Sequence, residues 1–312
     1  MTVSEWIVGE GDTGARLDRF LAAADRLGSR GRAATAIRRG PVFLNGTEAA
    51  PSDAGGRLSA GDLVRVWADR PGSARRRAGR RVPGGPDIVY QDEALLVVNK
   101  PPGLLAVPLA QQRGALSAYD QVQDHLRSRG RHRPLVVHRI DRDTSGLVVF
   151  ARSVRAQQAL KQQFTEHLPE RVYQAVVYGH PDPPKGTWRD RLAWDRAALI
   201  QKKAHPRDPR AKEAITAYRV VERFDGASLL ELRLQTGKRN QIRIQAQLHG
   251  HPLVGERLYA AGAGRPTPIP CHRQALHACR LAFRHPIDGR PLEFEAPLPE
   301  DLARLLARLR RG

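Results

Sequence analysis

The chain has 312 residues, is 41% hydrophobic, and carries 52 Lys plus Arg against 32 Asp plus Glu, a formal net charge of +20. That length allows one sizeable core with a small appended module, or two modest domains. No run of eighteen apolar residues is present, the N-terminus MTVSEWIVGEGDTG is acidic, and the two cysteines, Cys271 and Cys279, are too few for a disulfide framework. A spanning helix, a signal peptide and a stapled secreted fold are thereby excluded, and a cytoplasmic location is expected. The positive charge calls for a polyanionic partner, with nucleic acid ahead of an acidic membrane surface.

A first module is expected over residues 12–69. Leu17, Phe20, Leu21, Ala24 and Leu27 recur at helical spacing. A second helix is predicted from Ala33 to Arg39, ended by Gly40. The run Val42-Phe43-Leu44 leads into the hairpin signal Asn45-Gly46, and Asp62 to Trp67 alternates as a half-buried strand does. Arg30, Arg32, Arg38 and Arg39 lie beside the second helix. The pattern RLDRFL…SRGRAATAIRRGPVFLNG…LSAGDLVRVW resembles the small αL-type RNA-binding domain of ribosomal protein S-four. The resemblance assigns Arg30, Arg32 and Arg38 to RNA.

Residues 70–86, RPGSARRRAGRRVPGGP, contain six Arg, four Gly, three Pro and no acid. Such a stretch buries no core and reads as a linker whose arginines track phosphates. From residue 87 to 312 one mixed α/β domain is expected. Strands are predicted at Ile88–Tyr90, Leu95–Val98, Leu147–Ala151, Val172–Tyr178, Ala214–Phe224 and Leu229–Leu234, with a helix from Ser153 to His167. No internal repeat and no Gly-rich nucleotide loop interrupts this order.

The most informative segment is HRIDRDTSG (138–146), charged and small polar residues crowded ahead of an apolar strand. Read by pattern alone, it is either a site at the edge of a sheet or a turn in which Asp143, Thr144 and Ser145 satisfy nearby backbone. HRIDRDTSGLVVFA closely resembles the signature HRLDxxTSGLLLFA of the RluA-type pseudouridine synthases. IVYQDEALLVVNKPPG (88–103), ERVYQAVVYG (170–179), LQTGKRNQIRIQAQLHGHPLVGERLY (234–259) and RQALHACRLAFRHPIDGRPLEFEAPLP (273–299) resemble further blocks of that family, in its order and over about four-fifths of the chain.

The resemblance implies three catalytic residues: Asp141 as the carboxylate, Tyr173 as a ring that stacks on the target uracil and helps remove the proton from its C5, and Arg243 as the partner of Asp141. Arg139 would fill the space left by a flipped uridine, and Thr144, Lys238 and Asn240 fall with it to substrate binding. The reaction implied is uridine to pseudouridine. It breaks a C–N glycosidic bond, turns the base and rejoins it through carbon, with no redox change and no water consumed. No cofactor and no metal is implied. One ionised carboxylate is needed, to attack the anomeric carbon or to take its 2′ proton, and a neighbouring Arg is expected to lower its pKa.

Several positions depart from the family pattern. Lys238 replaces Arg, Asn240 and Gln245 stand where His is common, Glu256 replaces Asp, and Arg171 replaces Lys. None is expected to touch Asp141, Tyr173 or Arg243, so they bear on the substrate more than on the reaction. Two other constellations are weighed and set aside. Asp141 with Asp143 reads as a glycosidase pair, but Asp143 falls at a variable position of the signature and suits a turn. Cys271, His272, His277 and Cys279 have poor spacing for zinc. The basic segment KKAHPRDPRAK (202–212) is assigned to RNA phosphates.

The expected architecture is α+β: a catalytic domain with a mixed, largely antiparallel sheet flanked by helices, preceded by the small RNA-binding module. The expected partner is structured RNA, ribosomal ahead of transfer RNA, acted on by a monomer with no membrane contact. The reading from another class is a catalytically silent RNA-binding protein acting in ribosome assembly. It would need the basic surfaces but not Asp141, Tyr173 and Arg243 together.

Overall fold

The computed structural model describes residues 3–39, 42–67, 86–108, 116–127, 133–195, 198–205, 207–259 and 268–311. The chain divides into two compact units, Met1–Arg77 and Ala78–Gly312. The expected linker at 70–86 lies, apart from Pro86, outside the described residues.

In the first unit β1 (Val3–Ile7) is followed by α1 (Leu17–Leu21), α2 (Arg30–Arg39), β2 (Val42–Leu44), β3 (Thr47–Glu48) and β4 (Leu63–Trp67). The four strands form one sheet in the order β1-β4-β2-β3. Because Val3–Ile7 pairs antiparallel with Leu63–Trp67, this unit begins ahead of residue 12. Its core gathers Leu17, Phe20, Leu21, Ala33, Ile37, Val42, Leu58 and Val64. The first helix ends sooner than its apolar spacing suggested: Ala24 is exposed and Leu27 only half-buried. The helical period persists in the sequence, but the chain turns after Leu21, where Arg26 stacks 3.4 Å over the Phe20 ring and donates to the Phe20 carbonyl.

The second unit runs β5 (Asp87–Gln91), β6 (Leu95–Lys100), α3 (Ala118–Arg127), β7 (Leu135–Val136), β8 (Ser145–Ala151), α4 (Val154–Thr165), β9 (Glu170–Tyr178), β10 (Lys185–Asp195), β11 (Ile200–Lys203), β12 (Lys212–Phe224) and β13 (Ala227–Leu234). It continues with α5 (Gln241–Leu248), β14 (Leu276–Arg284), β15 (Pro291–Glu295) and α6 (Glu300–Leu309). Among the described residues these strands make one eleven-stranded sheet along β11-β10-β12-β13-β9-β14-β8-β6-β5, with β15 beside β14 and β7 beside β8. Within it every described pairing is antiparallel except that of β8 with β14. A mixed, largely antiparallel sheet with helices is thus what forms.

Strand alternation sorts the two faces. Tyr173, Ala175 and Val177 of β9, with Leu230 and Leu232 of β13, pack against Ile242 and Ala246 of α5. Val176 and Leu229 point the other way, onto Leu302, Leu305 and Leu306 of α6. On the flank, α3 covers Leu96, Val98, Val148 and Phe150 through Ala118, Val122 and Leu126. Among the described residues no helix is long and apolar enough to cross a membrane.

Candidate active site

The loop 138–144 meets the sheet where β8 and β14 run parallel, His277 opposite Ser145 and Ala278 opposite Gly146. Gly146 has φ +116°, and a methyl group there would overlap the Ala278 carbonyl, so the TSG turn admits no side chain at this point. Three groups brace the loop. Lys100, fully buried, donates from Nζ to the carbonyls of Pro101, Leu104 and Arg142, each at 2.8 Å. Burial draws its pKa down to about 7. Arg273, paired with Asp301 at 2.6 Å, donates to the Asp143 carbonyl at 3.0 Å and to Ser145 Oγ at 3.2 Å. His138 accepts the Val149 N–H at 3.1 Å and stacks 4.5 Å from Phe164. Burial, with Arg171 second, presses its pKa to about 3, so the ring is neutral.

A cavity of about 450 Å³ opens over this loop. Among its lining residues are Arg139, Asp141, Thr144, Arg171, Tyr173, Lys238, Arg239, Asn240 and Arg243. That volume suits a flipped nucleoside. Asp141, Tyr173, Arg243, Arg139, Thr144, Lys238 and Asn240, assigned from the sequence, are brought together here from the 138–144 loop, β9, the 236–240 turn and α5. Arg30 and Arg32 are exposed on α2 of the first unit, and the side chain of Arg38 lies outside the described residues.

Asp141 is the only carboxylate among the described residues that line the cavity, beside five cations: Arg139, Arg171, Lys238, Arg239 and Arg243. Burial is nevertheless the largest influence on Asp141 and raises its pKa, outweighing Arg243 and Arg139; Glu256 pushes in the same direction as burial. This corrects the expectation that a neighbouring arginine holds the carboxyl low. Arg243 Nη1 stands 3.8 Å from Asp141 Oδ2, while its fork is closed on Glu256 at 2.7 and 2.6 Å. Glu256 is 1% exposed and Arg243 11%. Burial works against the charge on Glu256, but Arg243 and the N–H groups of Leu258 and Tyr259 outweigh it and hold its pKa low.

The departures from the family pattern therefore fall nearer the chemistry than their spacing indicated. Glu256 grips Arg243, and Asn240 faces Asp141. Arg171 shares a strand face with Tyr173, two residues away. Gln245 is fully buried, accepts from Thr216 Oγ1 at 2.6 Å and donates to Asp190 Oδ2 at 2.8 Å, so it ties α5 to β10 and β12 and does not line the cavity. Burial lifts the Tyr173 phenol to about 12, which keeps the ring protonated at neutral pH. Asp143 pairs with Arg142 at 3.3 Å and does not line the cavity. His277 engages Ser145 Oγ at 3.0 Å and the Ala296 carbonyl at 3.2 Å, and Cys279 Sγ faces the Val172 carbonyl.

Sequence reasoning passed over Arg239, whose guanidinium sits 4.4 Å over the Trp194 ring at the cavity rim. It also passed over Tyr259, whose hydroxyl lies 3.2 Å from the Asn240 side-chain amide. An Arg next to Lys238 carries no period that separates it from a solvated charge, so neither spacing nor composition marks it.

One half-buried carboxylate, a buried tyrosine and a cationic wall come together at the parallel junction of a mixed sheet, an arrangement suited to an enzyme acting on an anionic substrate. Residues 94–248 match the family model described as RNA pseudouridylate synthase. The chain is 36% identical over 300 residues to an uncharacterized RNA pseudouridine synthase, YlyB, of Bacillus subtilis, covering 95% of each chain. It is also 36% identical over 311 residues to the ribosomal large subunit pseudouridine synthase D of Zymomonas mobilis, covering 95% of this chain and 94% of that one. The fold is shared with human RNA pseudouridylate synthase domain containing 4, at TM-score 0.60 and 22% identity over 73% of this chain and 94% of that one. The chain belongs to the RluA-type RNA pseudouridine synthase family.

Proposed function

We propose that the chain isomerises specific uridines of large-subunit ribosomal RNA to pseudouridine, with Asp141 as the reacting carboxylate. The observation that carries this is the lone carboxylate in a cavity walled by cations. Paired-carboxylate hydrolysis needs a second acid, and among the described residues the cavity offers none. Ribosomal RNA as the target rests on the relatives named ribosomal large subunit pseudouridine synthase D. Ionised Asp141 attacks the anomeric carbon or takes the 2′ proton as the C–N bond breaks. The uracil leaves with its negative charge on oxygen, turns against Tyr173 and bonds through C5 to the anomeric carbon, with Asp141 regenerated as the carboxylate; the proton lost from C5 is matched by one gained at N1, so the product is an isomer of the substrate. Arg171 is placed to serve that anion: its bonds to the Leu234 and Thr236 carbonyls are long, 3.4 and 3.3 Å, and its Nε has no partner. A desolvated guanidinium stabilises developing oxyanion charge strongly.

The first unit serves as an αL-type RNA grip, with Arg30 and Arg32 exposed on α2, and the monomer works in the cytoplasm. Arg239, pre-ordered on Trp194, meets a phosphate beside the flipped nucleotide. Arg239→Met is expected to raise KM, leave kcat within about twofold, and lower the slope of log affinity against log salt by about one. Filter binding across a salt series reads this directly.

The test of the function is single-nucleotide mapping of pseudouridine in total RNA from cells with the wild-type gene, a deletion, or Asp141→Asn. Loss of the same one or few large-subunit sites in both mutants establishes reaction and target together. No change in the deletion sinks the synthase reading and leaves the silent RNA-binding protein in its place.

A further inference from the structure

Asn240 was grouped with substrate binding, but its surroundings point inward. It sits at the N-cap of α5 with φ +52° and ψ +25°, and its side chain makes no cap hydrogen bond to the helix. An Asn at this position ordinarily accepts from the N–H groups of the first turn, so the amide is engaged elsewhere. One end faces Asp141 and the other faces Tyr259.

The hydrogen-bond network decides which end is which. Tyr259 Oη accepts the Gln201 N–H at 3.1 Å, so the hydroxyl proton is free to be donated. The Asn240 carbonyl oxygen takes it at 3.2 Å, which turns the amide nitrogen toward Asp141, 2.9 Å from Oδ1 and 3.1 Å from Oδ2. The reverse orientation takes a long 3.5 Å contact from Arg243 Nη1 but sets an amide oxygen against two carboxylate oxygens. The contacts close into a ring: Asp141 faces Arg243, Arg243 is gripped by Glu256, Glu256 accepts the Tyr259 N–H at 3.3 Å, and Tyr259 holds Asn240 against Asp141.

We infer that Asn240 is a positioning residue for Asp141: its amide, clamped by the Tyr259 hydroxyl, is a hold on the reacting carboxylate separate from Arg243. This rests on the synthase reading for its role in turnover, though not for the contact itself. Both N–H contacts favour the ionised form of Asp141 and fix the plane of its carboxylate. The other charged or titratable groups bearing on Asp141 are Arg243 of α5, Arg139 of its own loop, Arg239 of the 236–240 turn, Tyr173 of β9, Lys100 of β6, and Glu256 behind Arg243.

The test uses the full chain with Asn240→Gly, which removes the amide while suiting the left-handed backbone, and with Tyr259→Phe. Two readouts are taken: the titration midpoint of Asp141 by carbon-13 NMR of labelled aspartate in the free protein, and the pH profile of pseudouridine formation on large-subunit RNA from cells lacking the gene. Asn240→Gly is expected to move the midpoint and the acid limb of kcat up together by about one pH unit, with KM within about twofold. Tyr259→Phe moves both less in the same direction, and the double variant no further than Asn240→Gly. An unmoved midpoint overturns the inference, as does a raised KM with an unmoved acid limb, which returns Asn240 to the substrate. If Asn240→Gly does not fold, Tyr259→Phe carries the same comparison. Wild-type protein that forms no pseudouridine defeats the synthase reading alone, because the NMR midpoint still reports whether Asn240 holds Asp141.

Discussion

Asp141→Asn is expected to abolish pseudouridine formation, by on the order of 10³-fold or more, while making the folded chain more stable. The activity loss corresponds to about 4 kcal/mol or more of transition-state stabilisation, because an amide neither attacks an anomeric carbon nor accepts a proton at neutral pH. The stability gain follows from the direction of the Asp141 pKa, which burial raises above the ordinary carboxylate value. The folded chain then holds this proton more tightly than the unfolded one, so stability falls as pH rises from the unfolded pKa through the folded one. At neutral pH the ionised carboxylate is a net cost that Asn avoids. The thermal midpoint of Asp141→Asn should therefore lie above that of the wild type. The same linkage places the acid limb of the wild-type rate profile above that of a solvent-exposed aspartate, since turnover is lost as pH falls through the raised pKa. An Asp141→Asn protein that melts lower than wild type, or that retains turnover, contradicts the site as described.

Glu256→Ala is expected to be the most damaging single change outside the reacting group. Glu256 is almost wholly enclosed, and its two oxygens take both arms of the Arg243 fork. Deleting it leaves a buried guanidinium whose remaining anionic neighbour among the described residues is Asp141 at 3.8 Å, and breaking a buried pair from one side typically costs about 3–5 kcal/mol. The N–H groups of Leu258 and Tyr259 lose their acceptor as well. Urea denaturation measures the loss, and a destabilisation below about 1 kcal/mol would refute the assigned grip. Glu256→Gln separates the electrostatic from the structural part. It keeps the shape but removes a negative charge that raises the Asp141 pKa, and it leaves Asp141 as the nearest carboxylate to Arg243. The acid limb should move to lower pH, opposite in sign to the shift expected for Asn240→Gly.

Much of this protein was legible before folding. The strands β5, β6, β8, β9, β12 and β13 and the helix α4 announce themselves as short apolar or periodic runs. Strands β10 and β14 do not: β10 is exposed at alternate positions along an outer part of the sheet, and β14 carries His277, Cys279 and Arg280 within LHACRLAFR. His277, set aside as a metal ligand on its spacing, is a buried brace between Ser145 and Ala296.

By itself, the sequence determined the residue types the chemistry needs, because Asp141, Tyr173 and Arg243 each stand in a short block whose spacing is local. Tertiary structure alone decided how those residues are held and charged. Glu256 lies thirteen residues beyond Arg243 and meets it only because the chain after α5 folds back; Tyr259 reaches Asn240 by the same return. Whether burial or a neighbouring cation governs Asp141 depends on how much protein surrounds the carboxyl and on where Arg243 directs its fork. The number of charges written nearby in the sequence does not determine either.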